Sequence, residues 1–221
     1  MAGLKWAIPV AFALIAVQST ASVAEPMIGN ATAAKNRVEG IVGGRAETIS
    51  TGTGVYSNEV VRTAPNGAAD LKFVDDTNLS IGPTSEIVLD KFVYDPTGSS
   101  GAVVIQATRG AFRFVTGKQD KKAYQIKTPY GTIGVRGTVL DIVLIPCIPG
   151  VRKEDCGLKV KLIEGAADIQ TPNGNINLNE TNNTVSINGN GVASAGDITG
   201  SIGPAAGGGG GVGGPANAVS P

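Results

Sequence analysis

Asp75-Asp76-Thr77-Asn78 is the densest group of hard oxygen ligands in the chain, and calcium binding is the chemistry open to it. The spacing matches neither an EF-hand nor a glycine-rich calcium repeat. Asp and Asn between the apolar residues Phe73 and Leu79 read more simply as a hairpin turn. Glu86 and Asp90 stand beside apolar strand residues and read as the solvent face. No carboxylate pair is marked out for glycoside hydrolysis, since the sequence gives no separation between them. The 221 residues include no histidine, which removes the commonest general base and the commonest metal ligand together. Histidine triads, HExxH zinc sites and Cys/His fingers are thereby excluded. We therefore expect no catalytic residues, no bound metal and no cofactor.

Three further groups could carry chemistry. Arg109, Arg113, Lys118, Lys121, Lys122 and Lys127 form a basic stretch opposed only by Asp120. It could meet an anionic polymer, a membrane surface or an acidic partner face. The plainer reading is a solvated hairpin turn, Lys118–Lys122, that guards a strand edge. Lys plus Arg and Asp plus Glu both number 18, so the net charge is zero. That balance argues against a nucleic-acid partner, which demands a basic excess. Cys147 and Cys156 flank a loop marked by Pro149 and Gly150, with apolar alternation on both sides. They read as a disulfide stapling a hairpin, a closure contributing roughly 2–3 kcal/mol. Neither a CxxC spacing nor a histidine supports a redox role. Gly131–Thr138 looks like a phosphate loop only superficially, because GxxxxGK[ST] is absent and no helix follows. Its glycines serve sharp turns or close backbone approach, and Arg136 is either buried and paired or a surface group of a hairpin.

The elements that must position these residues are strands. Period-2 apolar alternation recurs from Leu71/Phe73 through Val103/Ile105/Ala107, Phe112/Phe114, Leu140/Ile142/Leu144 and Leu158/Val160/Leu162 to Val185/Ile187. Turn residues such as Pro65-Asn66-Gly67, Pro129-Tyr130-Gly131 and Pro172-Asn173-Gly174 fill the gaps. No stretch carries a helical stripe, and Gly, 32 residues in all, is scattered through every candidate. The fold class is all-β, a single domain of many short strands, β-roll or β-helix-like with a sandwich as the alternative. Residues 1–24 place Lys5 before an apolar run and end in Ser22-Val23-Ala24, a secretory signal peptide cleaved after Ala24. No stable membrane span is expected after cleavage. Residues 25–35 read as a short leader, 36–195 as the domain and 196–221 as a disordered Gly-rich tail.

The blocks GAADLKFVDDTNLSIGPTSEIVLDKFVYDP, RGAFRFVTG and YQIKTPYGTIGVRGTVLDIVL, in that order, closely resemble the FecR domain. The residues that carry the likeness are Arg109, Phe112, Phe114, Thr128, Pro129, Gly134, Arg136, Gly137 and Thr138, followed by Leu162-Ile163-Glu164-Gly165. It spans about residues 36–188. The resemblance implies a periplasmic all-β domain without catalysis. The best understood members of that family are signal transducers. They pair a cytosolic segment controlling a sigma factor with an external domain that receives a signal from an outer-membrane receptor. From the chain given, the expectation is a stand-alone exported binding or scaffold module. It would act in the periplasm as a regulator of envelope signalling, with an envelope protein or polymer as partner. The alternative is a structural or adhesive protein at the cell surface, which the Asn/Gly-rich late strands and the tail also suit.

Overall fold

The computed structural model describes residues 25–97 and 101–195. The expected signal peptide and the expected glycine tail lie outside the described residues. The strands in chain order are β1 (Met27–Lys35), β2 (Val38–Val42), β3 (Arg45–Thr48), β4 (Gly54–Tyr56), β5 (Glu59–Thr63), β6 (Ala68–Phe73), β7 (Asn78–Ile81) and β8 (Glu86–Val93). There follow β9 (Ala102–Val115), β10 (Tyr124–Thr128), β11 (Gly131–Ile145), β12 (Gly157–Thr171), β13 (Gly174–Leu178), β14 (Thr184–Asn188) and β15 (Ala193–Ser194). All belong to one hydrogen-bonded sheet, and no helix occurs among the described residues. Accordingly, no helix there is long and apolar enough to cross a membrane.

Three long strands organise the sheet, and each changes partners at a glycine. The first half of β9 pairs with β8 and, in parallel, with β10; its second half pairs with β7 and β11. The first half of β11 pairs with β10, and its second half with β9. Strand β12 pairs with β14 through its first half and β13 through its second. The changeovers fall at Gly110, Gly137 and Gly165, with φ of 106°, 63° and 87°. These are left-handed conformations that a side chain resists.

The inward residues change parity at the same places. Val103, Ile105 and Ala107 are buried before Gly110, Phe112 and Phe114 after it. Ile133 and Val135 give way to Leu140, Ile142 and Leu144 across Gly137, and Leu158, Val160 and Leu162 to Ala167 and Ile169 across Gly165. Strict alternation would have turned the second half of each strand inside out. An odd residue at a bulge, where the β11–β12 register shifts, keeps both halves facing one core. That core is a single cluster, with a small apolar void of about 10 Å³ lined by Leu79, Phe112, Phe114 and Ile142 among others.

Residues 27–35, read from the sequence as a leader, are the strand β1, hydrogen-bonded to β4 and β6. Ile28, Ala31 and Ala33 point into the core. Small residues give too faint an alternation to announce a strand, yet they fit where two neighbours crowd in. The late strands β12 to β15 pair antiparallel rather than stacking as parallel coils. The β11–β12 hairpin closes through a loop in which Cys147 and Cys156 form a disulfide, with Cα atoms 5.1 Å apart.

Candidate functional site

Asp75 ends β6 in a tight turn and is fully buried. Its Oδ1 accepts the Thr77 N–H at 3.0 Å, and its Oδ2 accepts the Thr77 and Tyr124 hydroxyls at 2.8 and 2.9 Å. Asp76, with φ of 67°, points outward and is held by Lys72 at 2.9 Å and by Lys118. Those two lysines, Lys118 foremost, keep its carboxyl down at about 2. Both carboxylates are thus committed to protein donors, and the cluster is a turn with a structural task.

That task is to hold the next loop. The Lys118 N–H donates to the Asp75 carbonyl at 2.8 Å, and the Gln119 N–H donates to the Tyr124 hydroxyl oxygen at 2.9 Å. The Lys122 N–H donates to Asp120 Oδ1 at 2.8 Å and the Ala123 N–H to the Asp120 carbonyl at 2.9 Å. The turn 118–122 between β9 and β10 is therefore pinned at four backbone positions. Tyr124 bridges turn and carboxylate from within, its ring edge-on to Phe114 with centroids 6.0 Å apart. Burial, with the Asp75 carboxylate adding to it, pushes the Tyr124 phenol up to about 12.

Lys118, Lys121 and Lys122 project from this turn and border a groove of about 550 Å³ together with Thr97, Gln119, Asp120 and Arg136. Strands β9 and β10 pair in parallel, so this turn does not close the hairpin read from the sequence; Arg136 comes from β11, exposed and paired with Asp168 at 2.9 Å. Lys121 and Lys122 are exposed and form no ion pair among the described residues. Gln119 is only 6% exposed. Its Nε2 donates to the Val93 carbonyl at 3.0 Å, while its Oε1 has no partner. The arrangement can receive anionic groups at its exposed lysines.

The basic stretch read from the sequence is not one patch. Arg109 lies on Glu86 at 3.3 Å, Arg113 on Asp141 at 2.7 Å and Lys127 on Asp90 at 3.2 Å. Strand neighbours neutralise these three and leave the turn lysines, with Arg136 brought in by the fold. The remaining residues singled out from the sequence have structural surroundings. Phe112 and Phe114 are buried opposite Ile142 and Leu140. Thr128 and Pro129 open the β10–β11 turn, where Thr128 Oγ1 donates to the Gly131 carbonyl at 2.8 Å. Thr138 is buried at the β11 bulge; its hydroxyl donates to the Ala166 carbonyl at 2.8 Å and accepts the Arg136 N–H at 2.9 Å. Gly137 has the left-handed turn conformation, whereas Gly134 has room for a Cβ, its nearest neighbour being the Asp168 carbonyl oxygen at 3.7 Å. The expected need for glycine therefore holds at Gly137 and not at Gly134. Cys156 is buried and Cys147 exposed, with the Gly189 backbone packed on both sulfurs.

Sequence reasoning missed Gln119, Tyr124 and Asp141. Asp141 was the most findable, a carboxylate set between Leu140 and Ile142 in an apolar strand.

The fold is thus a bent all-β sheet around an apolar core, with a polar turn presented at its surface. Residues 59–168 match the family model of the FecR protein, and the chain is a FecR-domain protein. The match runs from the start of β5 into β12 and contains the whole groove. Two crystal structures of a proposed anti-sigma factor from Parabacteroides distasonis are similar, with TM-scores of 0.47 and 0.46 at 13% and 14% identity. Each comparison covers 61% of this chain and 57% of the other, so this chain spans less than two-thirds of that protein. No curated protein matches the chain.

Proposed function

We propose that this chain is an exported periplasmic FecR-domain module that regulates envelope signalling by holding an envelope partner, without catalysing a reaction. The observation that carries the reading is the FecR match over residues 59–168, with the basic groove inside it. The segment 1–24, of signal-peptide composition, supports export. The carboxylates with the best-defined surroundings, Asp75, Glu86 and Asp141, are engaged by protein donors, which suits binding rather than proton transfer. We read the sheet as a roll, because β9, β10 and β11 pair with one another in every combination around the core. We read the unit as running from β1 to β15.

Cross-linking in intact cells, with fractionation of the envelope, tests this reading. A specific envelope partner that is lost on deleting residues 36–195 and retained without residues 196–221 is the expected result. Retention in a surface or polymer fraction with no partner would replace it with a structural or adhesive role.

A further inference from the structure

The groove beside the Lys118–Lys122 turn is more defined than a solvated hairpin tip needs to be. A turn that served only to keep a strand edge soluble needs no anchor beyond its own turn hydrogen bonds, such as the two to Asp120. Here two more backbone donors, those of Lys118 and Gln119, are tied to Asp75 and Tyr124, a buried carboxylate and phenol. Rigid presentation lowers the ordering cost of binding. The lysine heads are left at the surface, where charge attracts a partner at long range.

The groove also states what its occupant must supply. Lys121 and Lys122 form no ion pair among the described residues and outnumber Asp120, the acid beside them, so the occupant carries anionic groups. Val93, whose carbonyl holds the Gln119 side chain, and its neighbour Tyr94 are 42% and 46% exposed and add an apolar flank. Carboxylates and apolar side chains occur together in an acidic peptide. A uronate polymer has no apolar side chains, and an anionic membrane surface does not fit a groove with a polar floor.

We propose that the groove lined by Lys118, Gln119, Lys121, Lys122 and Arg136 is the docking site for an acidic, partly apolar peptide segment of a protein partner. The proposal rests on the binding-module reading above and names its surface and partner chemistry. Acidic side chains meet Lys121 and Lys122 first and then compete with Asp168 for Arg136.

The test is fluorescence anisotropy of the purified protein with a labelled peptide of alternating Glu and Leu. An alternating Gln and Leu peptide, polygalacturonate, and phosphatidylglycerol–phosphatidylcholine vesicles serve as comparisons. We expect the acidic peptide to bind about tenfold or more tightly than the neutral one, and the K121E/K122E variant to lose that margin. Both side chains are exposed, so the variant should keep its melting temperature. Equal binding of the acidic peptide to wild type and K121E/K122E overturns the proposal. Tighter binding of polygalacturonate or vesicles also overturns it, in favour of a polymer or a membrane. The in-cell cross-link separates this from the broader reading. A partner retained by K121E/K122E removes the groove and leaves the module. Lysine-dependent peptide binding with no envelope partner removes the signalling role and leaves the groove.

Discussion

Arg113 on β9 and Asp141 on β11 lie directly opposite each other, with Nε 2.7 Å from Oδ1 and Nη2 2.9 Å from Oδ2. Asp141 is fully buried although it stands on the outer side of the sheet, because the guanidinium lies across it. The pair covers the seam where the second halves of β9 and β11 meet. Removing one member of a buried pair leaves the other charge uncompensated, at a cost of about 3–5 kcal/mol. The Arg113 side chain is 22% exposed, so water offsets part of that. Asp141→Asn should therefore destabilise the protein by about 3 kcal/mol in urea denaturation, and the double variant R113M/D141L should recover most of the loss. A loss within about 0.5 kcal/mol for Asp141→Asn would show that the pair is dispensable.

Two glycines on the paired strands β11 and β12, Gly134 and Gly165, should respond in opposite ways. Gly165 has φ of 87°, and a Cβ there would collide with the Gly137 carbonyl oxygen at the paired bulges of β11 and β12. Gly165→Ala should cost about 3 kcal/mol or more, since neither backbone can withdraw without breaking the corner. Gly134→Ala has open space around it and should leave stability unchanged or raise it by up to about 1 kcal/mol. Urea midpoints for the two variants decide the matter. Equal losses would mean that the corner is soft.

The strands were legible because apolar alternation is a local signal, and the corners are present in it as a change of parity around Gly110, Gly137 and Gly165. Strand β1 was hidden because Ala31 and Ala33 mark burial only weakly. The polar network was hidden for a different reason. Asp75 and Tyr124 are 49 residues apart, and nothing local pairs them. Arg136 could be assigned only once β11 brought it beside the lysine turn, where it is exposed and paired, a combination of the two surroundings considered for it. The basic stretch divided because cross-strand register, which sequence alone does not give, set Arg109, Arg113 and Lys127 opposite carboxylates.

Tyr124 couples this hidden network to the groove. Tyr124→Phe removes the donor to Asp75 Oδ2 and leaves the Gln119 N–H without its acceptor. Two buried polar groups are then short of partners, and the loss should be about 1–3 kcal/mol. Because the Gln119 amide anchors the turn, affinity for the acidic peptide should fall as well, although no charge has changed. The phenol itself titrates near 12 in the folded protein against an ordinary 10. A raised acid favours folding while protonated, so this contribution holds below about pH 10 and is lost as pH rises through 12. Burial also raises the Tyr130 phenol, so ultraviolet titration should show late-ionising tyrosine of which Tyr124→Phe removes the Tyr124 component.

Glu59 should make stability depend on pH at the other end of the scale. It opens β5, is 3% exposed, and its Oε2 accepts the Tyr56 N–H at 2.7 Å. Its Oε1 fills the space above Gly40, beside Ile49. Burial, with a smaller push from the Glu47 charge, raises its pKa above 4.5, and the Tyr56 N–H opposes them only in part. A carboxyl whose pKa is raised by folding keeps its proton longer in the folded chain. Its contribution to stability is thus fully present below pH 4.5 and declines as pH rises through the folded value. Glu59→Gln preserves an acceptor for Tyr56 and removes the charge. The variant should melt roughly 2–4 °C higher than wild type at pH 7 and within about 1 °C of it at pH 4. Thermal melts at the two pH values check this. An equal shift at both would assign the effect to packing against Gly40 rather than to ionisation.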